Sequence, residues 1–409
     1  MTLRKPMVSD SALWPRRRFL KMLGAVALAP ALARAGSFTP ARRGLSSVLL
    51  LGDSMALCGF GARLDERLRA WGVPLVNTYM ACGTHPLSWT ALKAYAKAQS
   101  LCGYWSIETG ESGPVSFRDT YGMRRGHRPS RYDVPKIESL LPELQPEVLI
   151  VQLGNNLFDL LKGREKSRNG AVLEPFIRPF LAKVAESRPS VRRIYWVAPP
   201  VSGTVSSQVQ DLLVERLQMC AGSGMRVIDS RELIEYPYRN LQPDKQHFIG
   251  PDMEQWADRV FDIVDDDLRN SPPAPEAPLL AAAGGVDGPE VADEAPALVV
   301  QCSLEKMNVP FRHEEIAPYQ ESLVAFVYRV QRVLRGDFRG THLVVLHAAH
   351  IGGKRQSMHR FALGQNRILR LRPVDRTPWA TLKAKDDPRF LELERFIRED
   401  DHRRLAAHL

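Results

Sequence analysis

The stretch that decides the fold is Leu49-Leu50-Leu51-Gly52-Asp53-Ser54-Met55. Its apolar run predicts a buried strand that ends at Gly52, and the residues after Ser54 predict a helix. Glycine lets the backbone turn sharply between the two. The N-terminus of the helix would place unpaired N–H groups and a positive dipole beside Ser54, which suits a nucleophile and its oxyanion. The alternative is an ordinary turn in which Asp53 or Ser54 caps the helix.

Outward from this stretch, short apolar runs alternate with amphipathic segments up to about residue 270. Nearly continuous apolar strands separated by helices predict a parallel sheet covered on both faces. Five such strands predict an α/β domain with a flavodoxin-like, doubly wound, five-stranded parallel sheet. The predicted strands are 48–51, 73–77, 148–153, 193–197 and 225–228. The predicted helices are 55–70, 87–99, 134–144, 173–187, 206–220 and 252–268.

The sequence changes character after residue 270. Residues 271–296 hold six prolines and five acidic residues but no basic one, which predicts an extended or disordered linker. Segments 298–304, 322–334, 342–350 and 368–373 then alternate apolar and polar residues, as half-exposed antiparallel strands do. A helix is predicted at 387–402. We therefore expect the α/β domain at 44–270, the linker at 271–296, and a small β-rich domain with a terminal helix at 297–409.

The N-terminal residues indicate export. Arg16-Arg17-Arg18-Phe19-Leu20-Lys21 resembles the twin-arginine signal, and an apolar stretch at 22–32 follows that is too short to span a bilayer. Ala33-Arg34-Ala35 then supplies the small residues that a signal peptidase needs. Residues 1–35 are thus predicted to be a cleaved signal peptide, with the twin-arginine export machinery as partner. The mature protein would be periplasmic or secreted, without an integral membrane segment. A basic cytoplasmic extension is the alternative.

Charge and cysteine content narrow the classes of function. The net charge is +10, but residues 1–35 hold seven basic residues and one acidic residue, so 49 basic and 45 acidic residues remain, a charge of +4. Nucleic-acid binding therefore has little support. Five cysteines are too few and too scattered for a disulfide scaffold or a metal site. Cys82 and Cys102 could pair, although buried, unpaired thiols are the alternative.

Three further motifs follow predicted strands. Gly154-Asn155-Asn156 ends the third strand, which a doubly wound sheet places beside the first, so Ser54 and Asn156 should face one crevice. Asp244-Lys245-Gln246-His247 precedes the last helix. A histidine is needed to take the serine proton, and a carboxylate is needed to fix its tautomer. Gly83 follows the second strand, where its N–H could enter the same crevice. Each motif alone also fits a loop turn or a surface pair.

Together, and in this order, the four blocks resemble the SGNH/GDSL hydrolase family over residues 47–268. The resemblance implies the SGNH hydrolase fold, with Ser54 as nucleophile, His247 as base and Asp244 as its orienting carboxylate. It also implies an oxyanion hole and no metal or organic cofactor. Leu157 stands where the family often has aspartate, and Phe248 where it often has proline, which indicates a divergent branch. The implied oxyanion donors are the N–H groups of Ser54 and Gly83 and the side chain of Asn156.

The function implied is an exported serine esterase that cleaves O-acyl esters through an acyl-Ser54 intermediate. An O-acetylated carbohydrate is the leading substrate, because of export, the appended domain and an aromatic loop with Tyr104, Trp105 and Tyr121. Arginines in that loop could receive an acidic substrate or form a solvated face; they are Arg124, Arg125, Arg128 and Arg131. The alternatives are a polysaccharide O-acetyltransferase with the same triad and a non-catalytic glycan-binding protein of the cell envelope. A lipase has less support, since no long apolar lid is evident.

Overall fold

The computed structural model describes residues 45–91, 97–99, 103–110, 113–120, 131–162, 164, 170–186, 191–222, 224–270, 298–316, 319–390 and 392–407. The predicted signal peptide at 1–35 and the predicted linker at 271–296 lie outside these residues, as do residues 121–130. Two bodies of β-structure are described, one before the linker and one after it.

The first body is a mixed seven-stranded sheet flanked by helices. Its order is β5-β4-β2-β1-β7-β8-β9, and β3 and β6 form a separate pair. The strands are β1 Ser47–Gly52, β2 Leu75–Ala81, β3 Lys97–Gln99, β4 Tyr104–Gly110, β5 Gly113–Arg118, β6 Arg131–Asp133, β7 Val148–Gln152, β8 Arg193–Val197 and β9 Met225–Ile228. The helices are α1 Gly61–Ala70, α2 Ile137–Leu144, α3 Phe158–Leu161, α4 Glu174–Glu186, α5 Ser207–Cys220 and α6 Pro251–Asn270.

Five strands of this sheet are the predicted ones. β2, β1, β7, β8 and β9 are parallel neighbours, which is the doubly wound order 2-1-3-4-5. The prediction of a five-stranded, all-parallel sheet was wrong, because β4 and β5 add an antiparallel hairpin beside β2. β4 begins with Tyr104 and Trp105, which were predicted to lie in an aromatic loop. Hydrogen bonding to β2 makes this stretch a pair of strands. The local sequence has no strand periodicity from which the pair could be predicted.

Alternate residues of β1 point into two separate cores, as a sheet covered on both faces requires. Leu49 and Leu51 are fully buried in the cluster that α2, α4 and α5 cover. Val48 and Leu50 are buried in the cluster that α1 and α6 cover. The sheet is therefore sandwiched between two helical layers.

The helix predicted at 87–99 is wrong. A short 3₁₀ turn at Pro86–Trp89 ends at Thr90, whose backbone is extended with φ −108° and ψ 162°. The Thr90 hydroxyl donates to the carbonyl oxygen of Leu87 over 2.8 Å. The side chain thus competes for the carbonyl that a continuing helix would use, and β3 follows instead.

The second body is a small barrel. Strand pairing closes the ring β10-β11-β12-β16-β14-β10; β12 and β16 are parallel, and the other four pairs are antiparallel. Closure leaves these five strands without a free edge in the ring. The strands are β10 Leu298–Met307, β11 Ser322–Arg335, β12 His342–Ile351, β13 Lys354–Arg355, β14 Asn366–Pro373, β15 Ala384–Lys385 and β16 Arg395–Arg398. The helices are α7 His313–Ile316 and α8 Glu399–Ala407.

The helix predicted at 387–402 is also wrong, because β16 lies inside that range and α8 begins only at Glu399. Phe396 points into the barrel interior. Ile397 faces the outer cluster, where it is buried together with Leu405 of α8. Neighbouring residues thus face opposite sides, as in a strand that is covered on both faces. A strand of four residues is too short for this alternation to be recognised in the sequence.

The second body, the barrel, packs directly against the first. The turn Pro378–Thr381 contacts α3, and Ala380 is buried within the hydrophobic cluster of the α/β part. The second body is thus docked on the first through apolar contact.

Candidate active site

Ser54 lies at the carboxyl end of β1, in a turn fastened to β7. The backbone N–H of Asp53 donates to the carbonyl oxygen of Gln152 over 3.1 Å, and the Gln152 side-chain oxygen accepts the N–H of Ala56 over 3.1 Å. A Cβ atom on Gly52 would lie 2.2 Å from the Cβ of Ala56, so only glycine allows the chain to turn here. These contacts fix Ser54 at the switch point between two parallel strands.

Three predicted side chains form a continuous hydrogen-bonded series. The Ser54 Oγ atom is 2.7 Å from Nε2 of His247, and Nδ1 of the same ring is 2.6 Å from Oδ2 of Asp244. With the ring proton on Nδ1 and donated to the carboxylate, Nε2 accepts the serine O–H. Ser54 is 2% exposed and His247 is 8% exposed. The arrangement has the geometry of a serine nucleophile, its base and an orienting carboxylate.

The turn that carries His247 is stabilised by the Asp244 carboxylate and by aromatic packing. Oδ1 of Asp244 accepts the backbone N–H groups of Gln246 and His247, each over 3.0 Å. Phe248, which stands where the family often has proline, is fully buried, and its ring centroid lies 3.9 Å from that of Tyr238. Ring packing therefore fixes the chain after the histidine.

The charges around His247 favour an imidazole that can accept a proton. Burial by itself would lower the pKa of His247, but the Asp244 carboxylate, with a smaller effect from Asp53, outweighs it and raises the pKa. Burial would raise the pKa of Asp244, yet the neighbouring His247 and two backbone N–H groups hold it well below its usual range. Burial raises the pKa of Asp53 to about 6. Asp244 is therefore the carboxylate that stays ionised beside the imidazole.

The predicted oxyanion donors lie at the ends of the two strands that flank β1. The Asn156 amide nitrogen donates to the carbonyl oxygen of Thr84 over 2.7 Å and so joins the loop after β7 to the loop that contains Gly83. Gly83 has φ +71°, a conformation that favours glycine. Within the described turns and loops, no backbone hydrogen bond uses the N–H of Ser54 or of Gly83. Both groups are thus available as donors.

Two of the three aromatic residues that suggested a sugar substrate, Tyr104 and Trp105, do not face solvent. Tyr104 and Trp105 lie in β4 and are 6% and 5% exposed. The Tyr104 ring stacks on Tyr79, and Trp105 donates its Nε1 hydrogen to Asp119 over 3.2 Å. These two residues pack the edge of the sheet. Tyr121 and the loop arginines Arg124, Arg125 and Arg128 lie outside the described residues, and only the backbone of Arg131 is described.

Two histidines outside the triad, His85 and His350, are also buried. His350 contacts the Ser322 hydroxyl over 2.7 Å, and burial lowers the pKa of His85 to about 3. No group of three or more His, Cys, Asp or Glu residues in the described part of the chain could hold a metal ion. Cys82 is disulfide-bonded, whereas Cys102 lies outside the described residues. None of the helices described is long and apolar enough to cross a membrane.

One residue at the site was missed from the sequence. Tyr319 lies between α7 and β11, and burial together with the charges of Asp244 and Asp53 raises the pKa of its phenol, which indicates that it lies near the triad. It belongs to the barrel part of the chain, so no spacing rule connects it with the other blocks. Only the docking of the two bodies reveals it.

Comparisons with known proteins give remote likenesses. No family model and no curated protein match the chain. The periplasmic domain of a lipopolysaccharide acetyltransferase of Salmonella ser. Paratyphi A is 12% identical, with TM-score 0.32, over 55% of this chain and 85% of that one.

Two other solved structures resemble the chain to a similar degree. A family 3 carbohydrate esterase of Clostridium thermocellum is 12% identical, with TM-score 0.33, over 55% of this chain and 98% of that one. A protein of an uncharacterised family from Bacteroides uniformis is 14% identical, with TM-score 0.36, over 57% and 88%. All three TM-scores are below 0.5, so the function proposed below depends on side-chain geometry.

Proposed function

We propose that this protein is a serine esterase of the SGNH/GDSL type that cleaves O-acyl esters through an acyl-Ser54 intermediate. One observation carries the proposal: Ser54 Oγ lies 2.7 Å from His247 Nε2, while His247 Nδ1 lies 2.6 Å from Asp244. A buried serine hydroxyl bonded to an oriented imidazole is the arrangement that activates a weak nucleophile.

The reaction follows from these contacts. Ser54 Oγ bonds to the ester carbonyl carbon while its proton passes to Nε2 of His247. The negative oxygen that forms receives hydrogen bonds from the N–H groups of Ser54 and Gly83 and from the Asn156 amide. The bond to the alcohol oxygen then breaks, and His247 returns the proton to that oxygen. Water, deprotonated by His247, releases the acid from the acyl-enzyme and restores the serine.

Three more specific parts of the proposal concern the substrate, the export route and the location of the protein. We propose an O-acetylated carbohydrate as substrate and export by the twin-arginine route to the periplasm or beyond. Support comes from the leader motif at 16–21 and the appended domain. The burial of Tyr104 and Trp105 removes one of the original reasons for a sugar substrate. A fusion of residues 1–40 to a reporter tests export, and a reporter that stays in the cytoplasm would contradict it.

A polysaccharide O-acetyltransferase is the second candidate, and the burial of the site favours it. Transfer to a sugar hydroxyl requires that water be kept from the acyl-enzyme. Ser54 is 2% exposed. An acetyl donor with an oligosaccharide acceptor separates the two: acetylated oligosaccharide supports transfer, and free acetate alone supports the esterase.

The direct test is covalent labelling of Ser54 with a fluorophosphonate and hydrolysis of p-nitrophenyl acetate by the full-length protein. Ser54→Ala is expected to abolish labelling and to lower kcat by about 10⁴-fold or more, because the nucleophile is gone. Ser230→Ala is the matched control, since Ser230 is equally buried but lies outside the triad. Wild-type protein that neither labels nor hydrolyses the ester would refute the proposal and favour a non-catalytic glycan-binding protein.

A further inference from the structure

Positive charge is distributed unequally between the two bodies. Residues 297–409 hold 20 basic and 13 acidic residues, a net charge of +7, whereas residues 44–270 hold 27 of each. A net charge acts on a partner through the field at the surface that carries it. An anionic partner of the barrel would therefore be recognised by a local set of basic side chains.

Three arginines form a column along β11. Arg329, Arg332 and Arg335 pair with alternate residues of β10, which are about 7 Å apart along that strand and point to one face. The pairing skips Gln331 and Leu334, so a spacing of three in the sequence becomes a regular spacing across the sheet. All three arginines of the column are exposed.

The neighbouring strand β14 adds a fourth exposed arginine, Arg370, which lies across β10 from Arg335. Ile368 lies across β10 from Arg332 and is 65% exposed. No ion pair in the described part of the chain involves Arg332, Arg335 or Arg370. The column and Arg370 together form the basic face, in which three guanidinium groups without an acidic partner lie around an exposed apolar side chain.

A groove of about 570 Å³ lies at the Arg329 end of the column. Nε2 of Gln331 donates to Oδ1 of Asn366 over 2.8 Å, and no other side-chain hydrogen bond of the described residues uses these two amides. Glu305 lies 3.5 Å from Arg329. Leu363, which also lines the groove, is 64% exposed. The groove therefore offers donors and acceptors side by side, next to an apolar side chain.

These groups suit an acidic sugar polymer. A hydroxyl group both donates and accepts hydrogen bonds, so neighbouring donors and acceptors fit a polyhydroxylated ligand, and the volume is that of a small-molecule site. Guanidinium groups bind carboxylates through charge-assisted hydrogen bonds. The C–H groups of a sugar ring can pack on Leu363 or Ile368. Single-stranded nucleic acid fits less well, because base stacking needs aromatic side chains and the large exposed apolar residues described here are aliphatic.

We propose that the basic face and the adjoining groove bind an acidic polysaccharide. Carboxylates of successive sugars would lie on the arginines, and the hydroxyl groups of one sugar would bind the amides of Gln331 and Asn366. The site lies in the barrel and uses no residue of the triad, so it goes beyond the esterase proposed above and does not depend on it. If both are present, the barrel holds a polymer whose esters the triad can cleave.

The test is isothermal titration calorimetry of the full-length protein with hexagalacturonate. This probe carries no acyl ester, so its binding is measured independently of any esterase activity. The dissociation constant should rise about tenfold or more in Arg332→Ala/Arg335→Ala, since two charge-assisted contacts are lost. Gln331→Ala should raise it about three- to tenfold through the loss of a hydrogen-bonding amide. Uncharged cellohexaose should bind at least about tenfold more weakly than hexagalacturonate, because it forms no charge-assisted bond.

Matched controls remove the same groups elsewhere. Arg389→Ala/Arg403→Ala deletes two exposed guanidinium groups of the barrel away from the basic face, and Gln218→Ala deletes an exposed amide of the first body. Both should leave the affinity unchanged, and unchanged thermal unfolding shows that each variant is folded.

Four results would overturn the inference. Hexagalacturonate could fail to bind, or the control arginine pair could weaken binding as much as the pair on the basic face. Cellohexaose could bind as tightly as hexagalacturonate, which would remove the role of the arginines. A single-stranded DNA hexamer could bind more tightly than hexagalacturonate, which would make the face a nucleic-acid site. Failure of Ser54 to react with a fluorophosphonate overturns the proposed esterase instead.

Discussion

Among the described residues, two histidines are each hydrogen-bonded to an aspartate and a hydroxyl group, and they lie in different bodies. His247 joins Asp244 to the Ser54 hydroxyl at the ends of parallel strands. His347 joins Asp401 on Nδ1, over 3.0 Å, to the Tyr328 hydroxyl on Nε2, over 3.1 Å, inside the barrel. The two sets have the same connectivity.

Their surroundings differ in charge and access. His347 and Asp401 have no exposed surface, and Arg360 and Arg404 each lie 3.6 Å from the aspartate. Burial lowers the pKa of His347, and the pull of Asp401 does not reverse it, whereas the pKa of His247 is raised. His347 is thus a neutral, internal link, and His247 is a base beside the hydroxyl of the proposed nucleophile.

The comparison teaches that a histidine, a carboxylate and a hydroxyl do not by themselves make a catalytic site. The hydroxyl must belong to a group that can act as nucleophile, with free N–H donors beside it to bind the oxyanion. Ser54 meets these conditions. Tyr328, whose pKa burial raises, lies in the barrel interior and does not.

The largest effect that separates the two sets is expected from Asp244→Asn. The amide cannot fix the tautomer of His247 or stabilise its charged form, so kcat should fall by about 10⁴-fold. Thermal unfolding should change little, because the turn keeps its backbone. Steady-state kinetics with p-nitrophenyl acetate measures the change, and a fall of less than tenfold would remove Asp244 from the triad.

The same substitution in the barrel, Asp401→Asn, should act on stability instead. It leaves buried partners without their counter-charge, so the free energy of unfolding should fall by about 3 kcal/mol. Activity per folded molecule should be retained. Asp400→Asn is the control, because that carboxylate is exposed and its pair with Arg398 should contribute less than about 1 kcal/mol. Urea denaturation measures both, and equal effects of the two variants would contradict a structural role for His347.

The smallest effect concerns pH. Only neutral His247 can accept the serine proton, and its pKa is raised, so kcat/KM should increase with pH around an apparent pKa above the ordinary value of about 6.5. In Asp244→Asn the midpoint should move to lower pH, because the carboxylate that raises it is gone. His342→Gln, at an exposed histidine 2.9 Å from Glu305, should leave the profile unchanged. A wild-type profile that stays flat from about pH 5 to 9 would show that His247 is not the base.

Local patterns predicted most of the α/β fold. β8 and β9 have the predicted bounds, and β1 and β7 differ by a residue at one or both ends. Each is a compact apolar run. Gly52 ends β1 and Gly154 lies two residues after β7, and both have little room for a Cβ atom. The helices predicted at 87–99 and 387–402 failed because the strands that replace parts of them are stabilised by partners far along the chain.

The sequence by itself determined the reactive groups: Ser54 after an apolar strand, and Asp244 three residues before His247, a spacing short enough for one side chain to reach the other. Only the tertiary structure decided that Ser54 meets His247 and that Tyr319 of the barrel lies near the triad. The physical reason is the range of the contacts. Spacing and periodicity encode neighbours within a few residues, whereas contacts across the chain depend on which surfaces are buried together when the bodies pack.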